Sequence, residues 1–453
     1  MPVSVVVIGG ADGRMPAYPV EESPVRGVVS AGEYAGSMHA GMPSGDDARR
    51  GRIIAHVDMD AYFVEVELLE RPELRGRKLI VAQESGRSVV LSASYEARAD
   101  GVHSAMPLVM ARRLSPESLV LEPHQDRYRE HSRQIMGYFS TVTDAVEQLS
   151  VDEAFLDITG ARRRLGPPEA IGRRIRGEIR EQFGLPCSVG IADRKFIAKI
   201  ASTRAKPDGL LVVPPQRRLV FLHGLPVRAL WGVGDKTAAV LERLGITTVR
   251  QLAEMPVETL KNRLGVAGEQ LHRLAWGEDS REVQISREEK SIGAEQTFVE
   301  DVSSTDVLHQ EILRLSHRIA ARLRSAGLSA QGVSLKLRYQ DFETLARSAT
   351  LIHATSSAMV IRDQAGRLLD GLGTRRQAVR LIGVRAERLG QDAGALQLSF
   401  DRSESNWVEA EGALDAVARR FPGATLGPAS LLRAERDPGA GDEGGGHPDV
   451  ELA

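Results

Sequence analysis

Cysteine is almost missing from this 453-residue chain, where Cys187 stands alone. No internal disulfide framework is open to it, which fits a reducing cytoplasm. Its strand-like setting, Cys187-Ser188-Val189-Gly190-Ile191, makes that thiol a small core residue. Aromatic residues are scarce at 4%. No apolar run approaches the roughly 18 residues that a membrane helix needs. Val5-Val6-Val7-Ile8 is too short, and lacks the basic lead, for a signal-peptide core. An excess of basic charge is missing as well: 59 Lys and Arg against 61 Asp and Glu leave a formal net charge of −2. Any surface for nucleic acid must therefore come from local clustering of Lys and Arg. These absences exclude a disulfide-stapled secreted domain, a helical membrane protein and a uniformly basic binder. What is left is a multidomain chain whose 42% hydrophobic content suffices for several cores.

The ends read as disordered. Residues 1–51 form a leader rich in Gly, Pro and Ser, with Met38 and Met42 as alternative starts, and the tail from about 434 is Gly-rich. Gly9-Gly10-Ala11-Asp12-Gly13 has the look of a phosphate loop, but no helical pattern follows it, so it is assigned no ligand.

Two acidic segments dominate what is present. Asp58-Met59-Asp60 ends the apolar, β-branched run Ile53-Ile54-Ala55-His56-Val57. Asp152-Glu153 lies in Ser150-Val151-Asp152-Glu153-Ala154-Phe155-Leu156-Asp157, inside a hairpin-like pair of strands expected over Glu147–Ile158. Both place carboxylates at one edge of a sheet. Oxygen-only donors on rigid strands suit Mg²⁺, and paired ions serve in-line phosphoryl transfer. The pattern points to a nucleotidyl transferase. Adjacent strand residues face opposite ways, so either the backbone bends at Asp152 or the two carboxylates serve different ions. His56 reads as a core or supporting residue, and Asp157 as structural.

Further along, short strands are expected at Leu79–Ala82 and Val89–Ser92, then a helix carrying Tyr95 and Arg98 on one face. A polar helix covers 124–145, a strand Leu185–Ile191, and a helix Lys195–Thr203 with Lys199 on it; the loop Ala205-Lys206-Pro207-Asp208-Gly209 stops that helix. After Val213-Pro214-Pro215 the chain turns all-helical. Leu230-Trp231-Gly232-Val233-Gly234-Asp235-Lys236 is a tight turn into a helix, and Leu264-Gly265-Val266-Ala267-Gly268 is a second turn. Paired helix–hairpin–helix units offer backbone N–H groups to phosphate, which nominates Gly232, Gly234 and Lys236 for duplex backbone. A charged linker spans 281–289. Val333–Tyr339 then alternates strictly, with Lys336 and Arg338 on the polar face, and Val379-Arg380-Leu381 and Val384-Arg385 repeat the theme, so a basic sheet face is expected to meet DNA. Intermixed strands and helices predict an α+β protein.

Five segments together resemble the Y family of DNA polymerases, in its DinB branch: Val57-Asp58-Met59-Asp60-Ala61-Tyr62-Phe63, Tyr95-Glu96-Ala97-Arg98, Ser150-Val151-Asp152-Glu153-Ala154, Ala205-Lys206-Pro207-Asp208-Gly209 and Lys290-Ser291-Ile292-Gly293. The resemblance runs in order from about residue 52 to 400. It implies a multidomain right hand: a ferredoxin-like palm (52–69 and 124–213), small fingers (70–123), a helix-hairpin-helix thumb (214–280) and an α/β little finger (290–390). A tail (391–453) would carry a clamp-binding peptide.

The same resemblance implies translesion, low-fidelity synthesis that adds dNMP to a primer 3′-OH by two-metal-ion transfer. Asp58, Asp152 and Glu153, with the Met59 carbonyl, would hold two Mg²⁺ ions, Mn²⁺ being an alternative. Asp60 would stand behind them without touching an ion. Tyr95, Arg98 and Lys206 would hold the triphosphate, and Phe63 would be the steric gate against a ribose 2′-OH. Glu65 and Glu67 lie in a stretch where small residues are common in the family. Gln397-Leu398-Ser399-Phe400 resembles the peptide that docks on the sliding β-clamp. The partners implied are primer–template DNA, dNTPs and the clamp. The expected setting is monomeric, off the membrane, in a bacterial cytoplasm at the nucleoid. Two other readings compete: a nucleotidyl cyclase on a shared palm, and an inert clamp-bound DNA-binding scaffold.

Overall fold

The computed structural model describes residues 7–8, 51–84, 86–286, 289–373, 377–391, 402–421 and 431. The chain divides into two compact units, 1–287 and 288–453.

The first unit is built on a six-stranded sheet. In spatial order its strands are Val7–Ile8, Leu210–Val212, Cys187–Ala192, Ile54–Met59, Glu153–Asp157 and Val146–Gln148. Ile54–Met59 lies at its heart, antiparallel to both neighbours, and both of its faces are buried. Ala55, Val57 and Met59 enter a core with Ile171, Ile175 and Ile179 of the helix Pro168–Phe183, whose spacing of four keeps them on one face. Ile54 faces the other way, toward Phe196, Ile197 and Ala201 of the helix Lys195–Ala205. That helix comes so near the sheet at Gly190 that a Cβ there would meet the Ala198 carbonyl at 2.1 Å. Only glycine fits.

A three-stranded sheet, Ser92–Ala93, Leu79–Val81 and Leu119–Leu121, carries the helices Tyr95–Ala99 and Leu108–Leu114. The segment after 213 is all-helical, as its composition indicates: Arg218–His223, Asp235–Arg243, Val249–Glu254, Val257–Leu264 and Val266–Ala275 pack around Leu241, Leu252, Leu260 and Leu271.

The second unit is a four-stranded antiparallel sheet in the order Ser291–Val302, Val379–Gln391, Leu328–Tyr339 and Thr344–Thr355. The helices Thr305–Ser325 and Ala358–Asp370 cover one face through Leu308, Ile312, Leu315, Ile319 and Ile361. The other face keeps the polar residues of the alternating pattern.

Five expectations are corrected in detail. The strand expected at Val89–Ser92 is only Ser92–Ala93, because Val89 makes a lone bridge to Pro107. The turn expected over 264–268 shrinks to Gly265, and Gly268 lies within a helix packed hard on the Leu260 carbonyl. Val379–Leu381 and Val384–Arg385 are one strand, which runs on through Gly390 to Gln391. The leader supplies a strand at Val7–Ile8, paired with Leu210 and Leu211; the rest of residues 1–50 lies outside the described residues.

The fifth concerns the linker. Arg281–Gln284 is not a free linker: Arg52 donates to the Arg281 carbonyl (3.3 Å) and to Glu282 (2.5 Å), and Glu147 accepts from Gln284 N at 2.7 Å. The tail contains the helix Arg402–Arg420. Its Glu411 is 2% exposed, pairs with Arg324 at 2.5 Å and accepts from Ala358 N at 2.9 Å, at the start of the helix Ala358–Asp370.

Candidate active site

The strand Ile54–Met59 carries Asp58 to the sheet edge, where it pairs in register with Glu153 on one side and Ser188 on the other. The chain then leaves the sheet at once. Met59 N donates to the Asp152 carbonyl at 2.9 Å and Asp60 N to Pro186 O at 3.1 Å. Ala61 takes the left-handed conformation (φ 42°), a strained choice for alanine that such sites tolerate when neighbours fix it. The helix Tyr62–Glu70 starts there. On the partner strand the backbone bends over Ser150–Asp152 before Glu153 enters the sheet. That bend brings Asp152 and Glu153 to the same side. They line one cleft of about 420 Å³ with Asp58, Met59, Phe63, Arg98 and Lys206.

Charge in the cleft is dense and largely paired. Lys206 Nζ donates to Asp58 Oδ1 at 2.6 Å, and Lys199 pairs with Glu153. His56, fully buried, places Nε2 3.4 Å from Glu153 and Nδ1 2.7 Å from the Ser202 hydroxyl. The His56 imidazole, then the Lys199 ammonium, hold the Glu153 carboxyl down at about 2. Burial lowers the His56 pKa. Asp152 is pushed up, by burial first and further by the negative charges of Asp58 and Glu153, against the Ser150 hydroxyl that donates to it. Burial also raises Asp60, although its carboxylate accepts from Tyr95 Oη (3.0 Å), Ser188 Oγ (3.0 Å) and Asp208 N (2.7 Å). Asp60 is thereby fully engaged as a brace between three segments.

Seven sequence-nominated residues thus share one cleft. Tyr95 does not line it: its hydroxyl goes to Asp60, and its ring lies 5.0 Å from the Arg98 guanidinium, whose Nε donates to Ala93 O at 2.9 Å. Asp157 sits at the far end of its strand and accepts from Thr159 N at 3.0 Å. Among the described residues no three acidic, His or Cys side chains converge on one point as a metal cluster; Asp58 and Glu153 each face a lysine instead. The donor set is oxygen only, and three carboxylates, Asp58, Asp152 and Glu153, line the one cleft, a concentration of hard oxygen donors that a hard cation would satisfy. The residues therefore fit Mg²⁺.

Gly232 (φ +100°) and Gly234 lead into the helix Asp235–Arg243, with Lys236 exposed. In the second unit, Lys336 reaches across Gly383 to Glu295, 2.9 Å from both oxygens, and Arg338 donates to Thr344 Oγ1 at 3.0 Å. Gln397, Leu398, Ser399 and Phe400 lie outside the described residues.

Sequence reading did not assign Lys199 its partner or connect Ser202 to His56. Lys195, Lys199 and Ser202 follow at four and three along one helix, a polar stripe in an apolar helix, and that spacing was the available signal. Lys195 also binds Glu147, at 2.5 Å.

Comparison with known proteins agrees with this geometry. The impB/mucB/samB family matches residues 57–203, its C-terminal domain 289–400, and the thumb domain of DNA polymerase iota 228–279. A DNA polymerase IV from Desulfatibacillum aliphaticivorans is 41% identical over 84% of this chain and 97% of that protein. One from Streptomyces coelicolor is 42% identical over 79% of this chain and 75% of that protein. This chain belongs to the Y family of DNA polymerases, in its DinB branch. It is a DNA-directed DNA polymerase of the translesion type. Among solved structures, a Y-family chimera of Dbh and Dpo4 superposes with a TM-score of 0.67 at 27% identity, covering 74% of this polymerase and 98% of the chimera. An insertion ternary complex of Dbh polymerase gives 0.56 at 26% identity, with the same coverage of both chains. The cyclase and inert-scaffold readings are not favoured.

Proposed function

We propose that the cleft around Asp58 is where this polymerase joins a dNMP to a primer 3′-OH with release of pyrophosphate. The observation that carries the reading is the register of Asp58 against Glu153, with Asp152 bent in beside them and Arg98 and Lys206 lining the same cleft. Asp58, Asp152, Glu153 and the Met59 carbonyl would hold two Mg²⁺ ions, with Mn²⁺ as substitute. Bound there, the metal supplies Lewis-acid stabilisation of the attacking and leaving oxygens. The protein's own part is positioning and charge. Lys206 exchanges Asp58 for a phosphate oxygen, and Arg98 offers its guanidinium fork to the triphosphate. Tyr95 acts through Asp60 and Arg98, bracing the carboxylate and backing the guanidinium. His56 and Lys199 fix the orientation of Glu153 and keep it ionised. Phe63 stands beside the sugar as the steric gate.

The six-stranded sheet and its helices serve as the palm (52–69, 124–213), the three-stranded sheet as the fingers (70–123), and the helical segment as the thumb (214–280). The four-stranded sheet is the little finger (290–390). Gly232, Gly234 and Lys236 offer helix-start N–H groups and charge to duplex phosphates, and Lys336 and Arg338 offer charge from the open sheet face. The enzyme works as a monomer in the bacterial cytoplasm at the nucleoid, tethered to the sliding β-clamp through residues 397–400. That reading draws support from the bacterial DNA polymerase IV relatives.

Single-nucleotide insertion after EDTA treatment, followed by Mg²⁺ titration, tests the site. Activity returns with Mg²⁺ in the wild type and at no concentration in Asp58→Asn. Full insertion in EDTA, or wild-type behaviour of Asp58→Asn, overturns the assignment.

A further inference from the structure

Behind the cleft lies a buried carboxylate that the reaction does not use. Glu67 sits one helical turn after Phe63 on Tyr62–Glu70, and its side chain is 0% exposed. Burying a charge is costly unless it is paired and hydrogen-bonded, and Glu67 is both. Tyr128 Oη donates to its Oε1 at 2.6 Å. His124 Nδ1 lies 2.9 and 3.1 Å from its two oxygens, and Arg127 Nη1 3.9 Å from Oε2. The carboxylate therefore ties the helix of Phe63 to the start of the helix Gln125–Val142.

The tie ends on the gate itself. The Tyr128 ring, 1% exposed, stacks on Phe63 with centroids 4.3 Å apart and planes 19° from parallel. Tyr128 is held from two more sides: its hydroxyl accepts from His124 N at 3.0 Å, and its carbonyl accepts from Tyr62 Oη at 2.7 Å. Phe63, half-buried, presents its other side to the cleft. A phenyl ring has no polar atom with which to fix its own plane. Here it lies nearly parallel to the Tyr128 ring beneath it, with the Tyr62 ring tilted beside it at 5.6 Å, and the Tyr128 ring is pinned by Glu67.

We propose that Glu67 is a positioning residue for sugar selection: through the Tyr128 hydroxyl it fixes the plane of Phe63, and so sets how strictly the polymerase rejects ribonucleotides. The proposal rests on the reading of Phe63 as the gate. Its mechanism is steric. A ring free to tilt or retreat leaves room for a 2′-OH, whereas a ring clamped from behind does not. Displacements on the order of 1 Å carry effects of up to about 10²-fold at such sites.

The experiment measures kcat/KM for a dNTP and its matching rNTP on one primer–template, with thermal melting to establish folding. The variants are Phe63→Ala, Tyr128→Leu, Tyr128→Phe, Glu67→Ala and Glu67→Gln. Phe63→Ala collapses the dNTP/rNTP ratio; if it does not, the gate reading itself fails, separately from this proposal. Tyr128→Leu removes the stack, Glu67→Ala removes the pin, and each lowers the ratio by about tenfold, mainly through faster rNTP use. Glu67→Gln, which can still accept from Tyr128, keeps the ratio within about threefold of wild type, a rescue that general destabilisation would not give. Adding Glu67→Ala to Phe63→Ala lowers the ratio no further, since both act on one ring. A folded Glu67→Ala with the wild-type ratio, in a background where Phe63→Ala has lost it, overturns the proposal. If Glu67→Ala does not fold, Tyr128→Phe decides alone, because it removes only the hydroxyl: a lowered ratio supports the pin, and an unchanged ratio overturns it.

Discussion

Around Asp58, acidic and basic side chains interlock within a half-buried cleft. Asp60 is 1% exposed and bound by three donors, Glu153 is braced by His56 and Lys199, and Asp58 by Lys206. On the open face of the four-stranded sheet, Lys336 and Glu295 also face each other at 2.9 Å, but both side chains are about one-third exposed (32% and 38%), and among the described residues no third charged group pairs with either. The first arrangement fixes atoms. The second only stores charge, since a surface pair of this kind is worth about 0–1 kcal/mol and yields easily to a phosphate. Chemistry at one bond needs the former, and a grip on any duplex sequence needs the latter.

The contrast can be broken at several points. The largest effect belongs to the cleft. Phe63→Ala should admit ribonucleotides, lowering dNTP/rNTP discrimination by about 10²-fold while dNTP insertion falls far less. Paired insertion assays measure it, and unchanged rNTP use would remove Phe63 from the gate.

Acid stability reads the internal bracing. Glu153 is held at about 2 against an ordinary 4.5, so the folded state binds its proton less readily than the unfolded chain. The stability this contributes is present above about pH 4.5 and is lost as the pH falls toward 2. Asp152 has the opposite sign: its raised value is a cost above its ordinary range that fades on acidification. Lys199→Ala should thus cost stability at pH 6, and the gap to wild type should narrow as the pH falls from about 4.5. Urea unfolding in EDTA from pH 6 to 3 measures that gap. A gap independent of pH would mean that Lys199 supports packing rather than the charge of Glu153.

The smallest effect belongs to the sheet. Lys336→Ala should weaken DNA binding only a few-fold, equally for all sequences, and reduce the slope of log K against log salt by about 0.9. Fluorescence anisotropy over a salt series measures both. A sequence-dependent loss, or an unaltered slope, would contradict backbone contact.

Legibility in the sequence follows the same division. Asp58, Asp152 and Glu153 could be located because local rules place them: an apolar strand delivers its acids to the sheet edge, and two adjacent acids imply either a bend or two separate ions, of which the structure shows the bend. The alternation around Lys336 and Arg338 was legible for the same reason. What stayed hidden depends on partners far apart in the chain. Tyr95 shares a face with Arg98, yet its hydroxyl turns to Asp60, 35 residues away. Glu67 meets Tyr128 across 61 residues, and Lys336 meets Glu295 across 41. No spacing rule carries such pairs. Fine boundaries failed where a glycine serves packing and not a turn, as at Gly268, which lies within a helix and is glycine because the Leu260 carbonyl leaves no room for a Cβ.

Primer extension on an undamaged primer–template with four dNTPs and Mg²⁺, comparing wild type with Asp152→Ala/Glu153→Ala, tests the central claim most directly. The wild type should extend the primer, and a folded double variant that still binds DNA should not. Extension by that variant, or none by folded wild type with or without the clamp, would contradict that claim.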